Sequence, residues 1–126
     1  MTPGGWIYRA DAQRSAAFYG NGTTPPLLTI RCDRQGRSIR VDRALPARAT
    51  SAGMIRVTTS FGHTHWPADT MDPGQPLLSV RLAATDPALD KMAYSRGRIM
   101  IEGSGTERLI LPAWPEMARV IEDCRV

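Results

Sequence analysis

The sequence contains few cysteines, histidines, lysines and aromatic residues, and it has no long apolar run. Of its 126 residues, two are Cys, two are His and 6% are aromatic. No Cys-x-x-Cys motif occurs, which excludes a thioredoxin-like activity. No apolar segment approaches the about 20 residues that a transmembrane helix needs. No glycine-rich loop of the phosphate-binding type precedes a predicted helix. We therefore expect neither a membrane span nor a cofactor.

The positive charge of the chain comes almost entirely from arginine. The formal net charge is +4, and Lys91 is the single lysine beside 15 arginines. Arginine suits phosphate and carboxylate partners because its planar guanidinium can bind them through two hydrogen bonds. The alternative is that heavy use of Arg, Ala, Gly and Pro reflects the base composition of the genome. The length predicts a single domain over 1–126.

Turn residues divide the chain into short segments, most of which alternate between apolar and polar positions. This pattern predicts about nine strands, at 6–10, 15–19, 27–32, 38–42, 54–59, 63–66, 77–83, 99–102 and 108–111. It also predicts a short helix near 86–95 and an amphipathic C-terminal helix near 115–125. Pro67 is expected to end the sixth strand, because proline cannot donate to a strand ladder. The connections are short, so we expect an antiparallel β-sandwich or a curled barrel.

Two cysteines lie on the faces that their segments are predicted to bury. Cys32 alternates with Leu28 and Ile30 on one face of a strand, and Cys124 continues the apolar stripe of the last helix. We therefore expect a disulfide between Cys32 and Cys124. Two reduced, buried thiols are the alternative, since free cysteine is often buried.

The pair His63 and His65 is the strongest candidate for a metal site. Residues two apart on a strand project to the same face, so both imidazoles could reach one ion. A third ligand would have to come from Asp69 or Asp72, beyond Pro67. Because the sequence offers no obvious closing ligand, we predict no specific metal site.

No motif for nucleophilic catalysis is apparent. Ser104 lies between two glycines but lacks the strand-to-helix turn of a hydrolase serine, and the segment is typical of a hairpin turn. We therefore predict no catalytic residue and a protein that is not an enzyme. The alternative is a small periplasmic enzyme acting on an anionic or glycan substrate in a cleft that the sequence does not reveal.

Arginine recurs at every third position of the second predicted hairpin. The residues are Arg31, Arg34, Arg37, Arg40 and Arg43. Parity places Arg31 and Arg40 together on the outer face and Arg43 on the inner face, while Asp33 and Asp42 dilute the charge. We take Arg31 and Arg40 as the candidate binding residues. The alternative is a solvated hairpin whose charges discourage edge-to-edge pairing. Since no aromatic residues alternate with these arginines, we predict no nucleic-acid binding.

Three segments, 27–33, 86–90 and 111–125, resemble a group of small bacterial cell-envelope proteins that have no assigned activity. The shared features include Pro112-Ala113-Trp114-Pro115 and the final Cys124-Arg125. The resemblance implies an exported protein in the periplasm or associated with the outer membrane. The first five residues lack the basic and apolar regions of a signal peptide, so either the chain is cytosolic or its export signal has been removed. Because the resemblance implies export, we expect the signal to have been removed.

A cysteine on a strand paired with one in a terminal helix is also distantly similar to two groups of periplasmic proteins. These are the β-sandwich proteins of the invasion-associated locus B type and the accessory proteins of type VI secretion. The resemblance implies architecture and not activity. The sequence thus predicts an exported binding or structural module, with a protein or an anionic component of the cell envelope as its partner.

Overall fold

The computed structural model describes residues 1–22, 25–45, 53–69, 77–104 and 106–126, which contain nine strands and two helices. The strands are β1 Gly5–Ala10, β2 Arg14–Gly20, β3 Leu28–Asp33, β4 Ser38–Ala44, β5 Gly53–Thr59, β6 Gly62–Ala68, β7 Leu77–Ala83, β8 Arg98–Gly103 and β9 Leu109–Pro112. The helices are α1 Pro87–Ala93 and α2 Pro115–Asp123. The predicted mainly β fold is confirmed. Neither of these helices is long and apolar enough to cross a membrane.

The strands form two antiparallel sheets, arranged as a β-sandwich. The five-stranded sheet has the order β1-β2-β3-β4-β7, and the four-stranded sheet has the order β6-β5-β8-β9. At one corner, backbone hydrogen bonds between Asp69 and Ser79 link the end of β6 to β7. Because β5 and β6 belong to the second sheet, β4 pairs with β7 and not with the strand that follows it in the sequence.

Both helices begin at the positions that the sequence predicts. Asp86 caps α1, accepting a hydrogen bond from the backbone nitrogen of Ala88 at 2.9 Å, and both helices have proline near their first position. Helix α2 contacts β1, β2 and β3 through a buried apolar stripe. The stripe consists of Met117, Val120 and Ile121. The helix is thereby packed against one half of the five-stranded sheet.

A disulfide joins Cys32 of β3 to Cys124, which follows α2, as the sequence predicts. The two Cα atoms are 5.6 Å apart, although the residues are separated by 92 positions in the chain. Both cysteines are almost fully buried. For a loop of this length, the chain-entropy estimate of the stabilisation is about 4 to 5 kcal/mol. The bridge therefore fixes α2 against the sheet whose outer face is described below.

The expectation that Pro67 ends the sixth strand is wrong. Pro67 lies within β6 and pairs with Met54 of β5. Strand β6 is at the edge of its sheet, where a missing N–H can face away from the neighbouring strand. The sequence does not reveal the position of a strand in its sheet, so an edge strand can continue where a central one would end.

Candidate anion-binding face

The outer face of the five-stranded sheet carries a row of arginines that runs across the strands. Arg31 of β3 lies directly opposite Arg40 of β4, and Arg40 lies opposite Arg81 of β7. On the other side of Arg31 the row continues through Ala16 of β2 to Arg9 of β1. We call Arg9, Arg31, Arg40 and Arg81 the arginine row. Strand pairing therefore brings together four cations from distant parts of the sequence.

A buried carboxylate holds the two central arginines of this row. Oδ1 of Asp42 accepts a hydrogen bond from Nε of Arg40 at 2.7 Å, and its Oδ2 accepts one from Nε of Arg31 at 3.3 Å. The hydroxyl of Ser79 donates to Oδ1 at 2.6 Å. The side chain of Asp42 is only 2% exposed. Three neighbouring strands thus each direct one donor to the same carboxylate.

This arrangement satisfies the carboxylate and leaves the outer part of each guanidinium exposed. A buried carboxylate is costly unless it accepts several hydrogen bonds, and Asp42 accepts three. The side chain of Arg31 remains 51% exposed and that of Arg40 27% exposed. Both arginines use only Nε in their hydrogen bonds to the described residues. Their terminal Nη groups are therefore accessible to an external anion.

Two concavities adjoin the arginine row. The larger has a volume of about 360 Å³. Its charged lining residues are Arg14, Arg31, Asp33, Arg40 and Arg81. The smaller, about 230 Å³, lies where Ala16 separates Arg9 from Arg31. Because alanine is small, it leaves a depression between two long cationic side chains.

Arg43 lies inside the sandwich, as its parity predicts, and not on the cationic face. It is 4% exposed and donates hydrogen bonds from its Nη groups to Thr106 Oγ1 at 2.8 Å and to the carbonyl of Glu107 at 3.1 Å. It also donates to the carbonyls of Leu27 and Ala44. Burial lowers the pKa of Arg43, while the charge of Glu107 acts in the opposite direction. Its role is to connect the two sheets.

The arginines of the β3–β4 turn are also separate from the row. Arg34 forms an ion pair with Asp123 of α2 at 3.6 Å, so it joins the turn to the helix. Asp123 also accepts a hydrogen bond from the hydroxyl of Tyr8, and Arg119 lies 4.3 Å from the centre of the Tyr8 ring. Burial, followed by this hydrogen bond, raises the pKa of Tyr8. Arg37 occupies the left-handed region of the turn with φ of 49°.

The histidine pair lies on the exposed edge strand β6. The ring centroids of His63 and His65 are 5.4 Å apart. In the described residues, no group of three or more His, Cys, Asp or Glu side chains is placed to hold a metal ion. Asp72, one of the two possible third ligands, lies outside the described residues.

Ser104, the serine between two glycines, is used in a local contact. Its Oγ accepts a hydrogen bond from the backbone nitrogen of Met54 at 3.0 Å and thereby connects the end of β8 to β5.

Sequence reasoning found the two central arginines but missed the other members of the face. The parity of Arg31 and Arg40 is as predicted. Arg81 and Arg9 were missed because their places depend on which strands are neighbours. Asp42, which the sequence predicts only to reduce the positive charge of the patch, forms hydrogen bonds with both arginines. The available signal was alternation, which places Asp42 on the outer face, between the inward-facing Val41 and Arg43 and on the same face as Arg31 and Arg40.

The chain matches no protein-family model, no curated protein and no solved structure. The arginine row is therefore the feature of the molecule that points to a function.

Proposed function

We propose that this protein is an exported, non-catalytic binding domain that captures an anionic component of the cell envelope. We place its binding surface on the outer face of the five-stranded sheet, and the protein itself in the periplasm or at the outer membrane. The observation that carries the proposal is the hydrogen bonding of Asp42 to both Arg31 and Arg40. An arginine face that served only for solubility would have no need of a buried carboxylate that orders it.

Pre-ordering supports a binding role because flexible arginines lose side-chain freedom when they bind. Ordering such a side chain costs about 0.5 to 1.5 kcal/mol at an interface. Arg31 and Arg40 are already held at Nε, so a ligand meets two guanidinium groups whose orientation is largely fixed. The remaining donors can then form charge-assisted hydrogen bonds to phosphate or carboxylate oxygens.

The length of the arginine row favours an extended ligand. Strands in a sheet are about 4.8 Å apart, so four strand spacings from β1 to β7 place Arg9 and Arg81 about 19 Å apart at the backbone. A polymer with regularly spaced anionic groups could contact several of these cations at once. The disulfide supports export, since such bridges persist in oxidising compartments such as the periplasm.

Binding to labelled polygalacturonate and polyphosphate tests the proposal. If all four arginines of the row engage the polymer, raising the salt from 50 to 200 mM should weaken binding roughly 50-fold, by the slope expected for single-stranded polyanions. The double variant Arg31→Glu/Arg40→Glu should abolish binding of at least one polymer. The matched control is Arg96→Glu/Arg98→Glu, which makes the same charge change at two exposed residues on and beside β8.

Three results would contradict the proposal. These are the absence of binding to both polymers, unchanged binding in the Arg31 and Arg40 variant, and an equal loss in the control variant. The last result would show that binding depends on net charge and not on this face.

Fractionation of the cells that produce the protein tests the compartment. Recovery from the cytosol with two reduced thiols would contradict export.

A further inference from the structure

We propose that the larger concavity beside the arginine row binds a phosphomonoester group, the terminal phosphate of a phosphorylated saccharide or lipid headgroup. This inference rests on the proposed function and specifies the chemistry of its ligand. Three observations on the concavity carry it: its net charge, the strands that supply its donors, and its size.

The net charge of the site matches a dianion. Its charged groups are Arg14, Arg31, Arg40, Arg81, Asp33 and the underlying Asp42. Four arginines and two aspartates leave a formal charge of +2. A phosphomonoester carries a charge of about −1.5 to −2 at pH 7. A carboxylate or a phosphodiester carries a single negative charge and would leave part of the site uncompensated.

The donors come from different strands, which suits a tetrahedral group with three terminal oxygens. Arg31, Arg40 and Arg81 lie side by side on β3, β4 and β7, and Arg14 lies on β2 opposite Asp33. A carboxylate presents two oxygens in one plane, and a single guanidinium can engage both of them through two parallel hydrogen bonds. A phosphate monoester can accept from several guanidinium groups at once, because its oxygens point in three directions.

The concavity has room for more than a phosphate. Its volume of about 360 Å³ falls in the lower part of the range of about 300 to 1,000 Å³ for small-molecule sites. The lining also contains Cys32 and three neutral polar residues, namely Gln13, Gln35 and Ser38. Such groups form hydrogen bonds with hydroxyls, so the group that carries the phosphate is expected to be a polar sugar or glycerol.

Three small probes test the ligand class by NMR titration: glucose 1-phosphate, dimethyl phosphate and galacturonate. Glucose 1-phosphate should bind at least about tenfold more tightly than the other two, since charge-assisted hydrogen bonds to additional oxygens are lost in each. The variant Arg31→Gln/Arg40→Gln should weaken its binding by at least about tenfold. The control Arg96→Gln/Arg98→Gln should leave it unchanged.

Asp42→Asn separates positioning from net charge. This variant makes the site more positive, so an effect of charge alone would tighten the binding of glucose 1-phosphate. Loss of the carboxylate that holds both Nε groups should instead weaken binding about tenfold. Ser79→Ala, which removes only the hydroxyl donor to Asp42, is the milder variant and should weaken binding less. Thermal unfolding of each variant verifies that it is folded.

Vesicles that contain phosphatidate distinguish the two sources of a phosphomonoester. Binding to these vesicles that depends on Arg31 and Arg40 supports a lipid headgroup, whereas binding of glucose 1-phosphate alone supports a saccharide. Equal affinity for galacturonate and glucose 1-phosphate would overturn the phosphomonoester, yet leave the proposed function intact if polygalacturonate binding still depends on Arg31 and Arg40. Tighter binding in Asp42→Asn would overturn the positioning role. Failure of every anion to bind, polymers included, would overturn both proposals.

Discussion

Arg40 and Arg43 lie three positions apart on β4 and have opposite surroundings. Arg40 projects to the outer face, where Asp42 accepts its Nε–H and its outer donors remain accessible to solvent. Arg43 projects to the interior, where its Nη groups donate to backbone carbonyls and to Thr106 in the connection between β8 and β9 of the other sheet. The same kind of side chain is thus part of a candidate binding face in one position and a structural connection in the other.

The comparison shows that the partners of an arginine decide its role. A carboxylate that accepts a hydrogen bond from Nε orients a guanidinium but leaves the Nη donors of that guanidinium available. Carbonyls and a hydroxyl that surround both Nη groups leave little capacity for a ligand. Substitutions on the inner face should therefore lower stability, whereas those on the outer face should lower binding.

The largest loss of stability is expected when the bridge on the inner face is removed. Cys32 follows Arg31 directly but points to the interior, and its disulfide fixes α2. Replacing both cysteines with alanine should lower the free energy of unfolding by about 2 to 5 kcal/mol. Urea denaturation measures the effect. A loss below about 1 kcal/mol would show that the packing of α2 is sufficient to hold the helix against the five-stranded sheet without the disulfide.

Arg43→Met and Arg40→Met test the comparison directly, because they make the same change on opposite faces of one strand. Arg43→Met should lower the free energy of unfolding by about 2 to 4 kcal/mol, since it leaves buried acceptors without donors. Arg40→Met should lower it by less, about 1 to 2 kcal/mol, because Asp42 loses one hydrogen bond but keeps two other donors. Losses of equal size would remove the distinction between the two faces.

The smallest expected effect concerns the tyrosine at the contact of β1 with α2. The folded protein raises the pKa of Tyr8 above its ordinary value of 10.0. Its contribution to stability is therefore complete below pH 10 and is lost as the pH rises through the raised pKa. The free energy of unfolding, measured between pH 9 and 12, should fall less steeply with pH in Tyr8→Phe than in the unchanged protein.

Tyr94→Phe removes the same hydroxyl from a side chain that is 63% exposed and is the matched control. An unaltered slope in Tyr8→Phe would contradict the role assigned to the contact between Tyr8 and Asp123.

The periodic pattern of polar and apolar residues predicted the strands, apart from the end of β6, and the faces of Arg31, Arg40 and Arg43. Together with the helical stripe that includes Cys124, it also favoured the disulfide. It could not predict that Arg81 joins the row, because β5 and β6 leave for the second sheet and β4 then pairs with β7. It also could not show that Asp42 is nearly buried between two guanidinium groups. That depends on side-chain conformations and on the neighbouring strand, neither of which a periodic pattern contains.

The central claim is that Asp42 holds Arg31 and Arg40 in place before any ligand binds. NMR relaxation of the arginine Nε–H groups in the ligand-free protein measures this directly. We predict that the order parameter of Arg40 lies above about 0.6, the value below which a group is flexible. That of Arg31, whose hydrogen bond is longer, should be lower than that of Arg40 but higher than that of Arg81. Both should fall in Asp42→Asn. Order parameters for Arg31 and Arg40 equal to that of the exposed Arg81, and unchanged in Asp42→Asn, would contradict the claim.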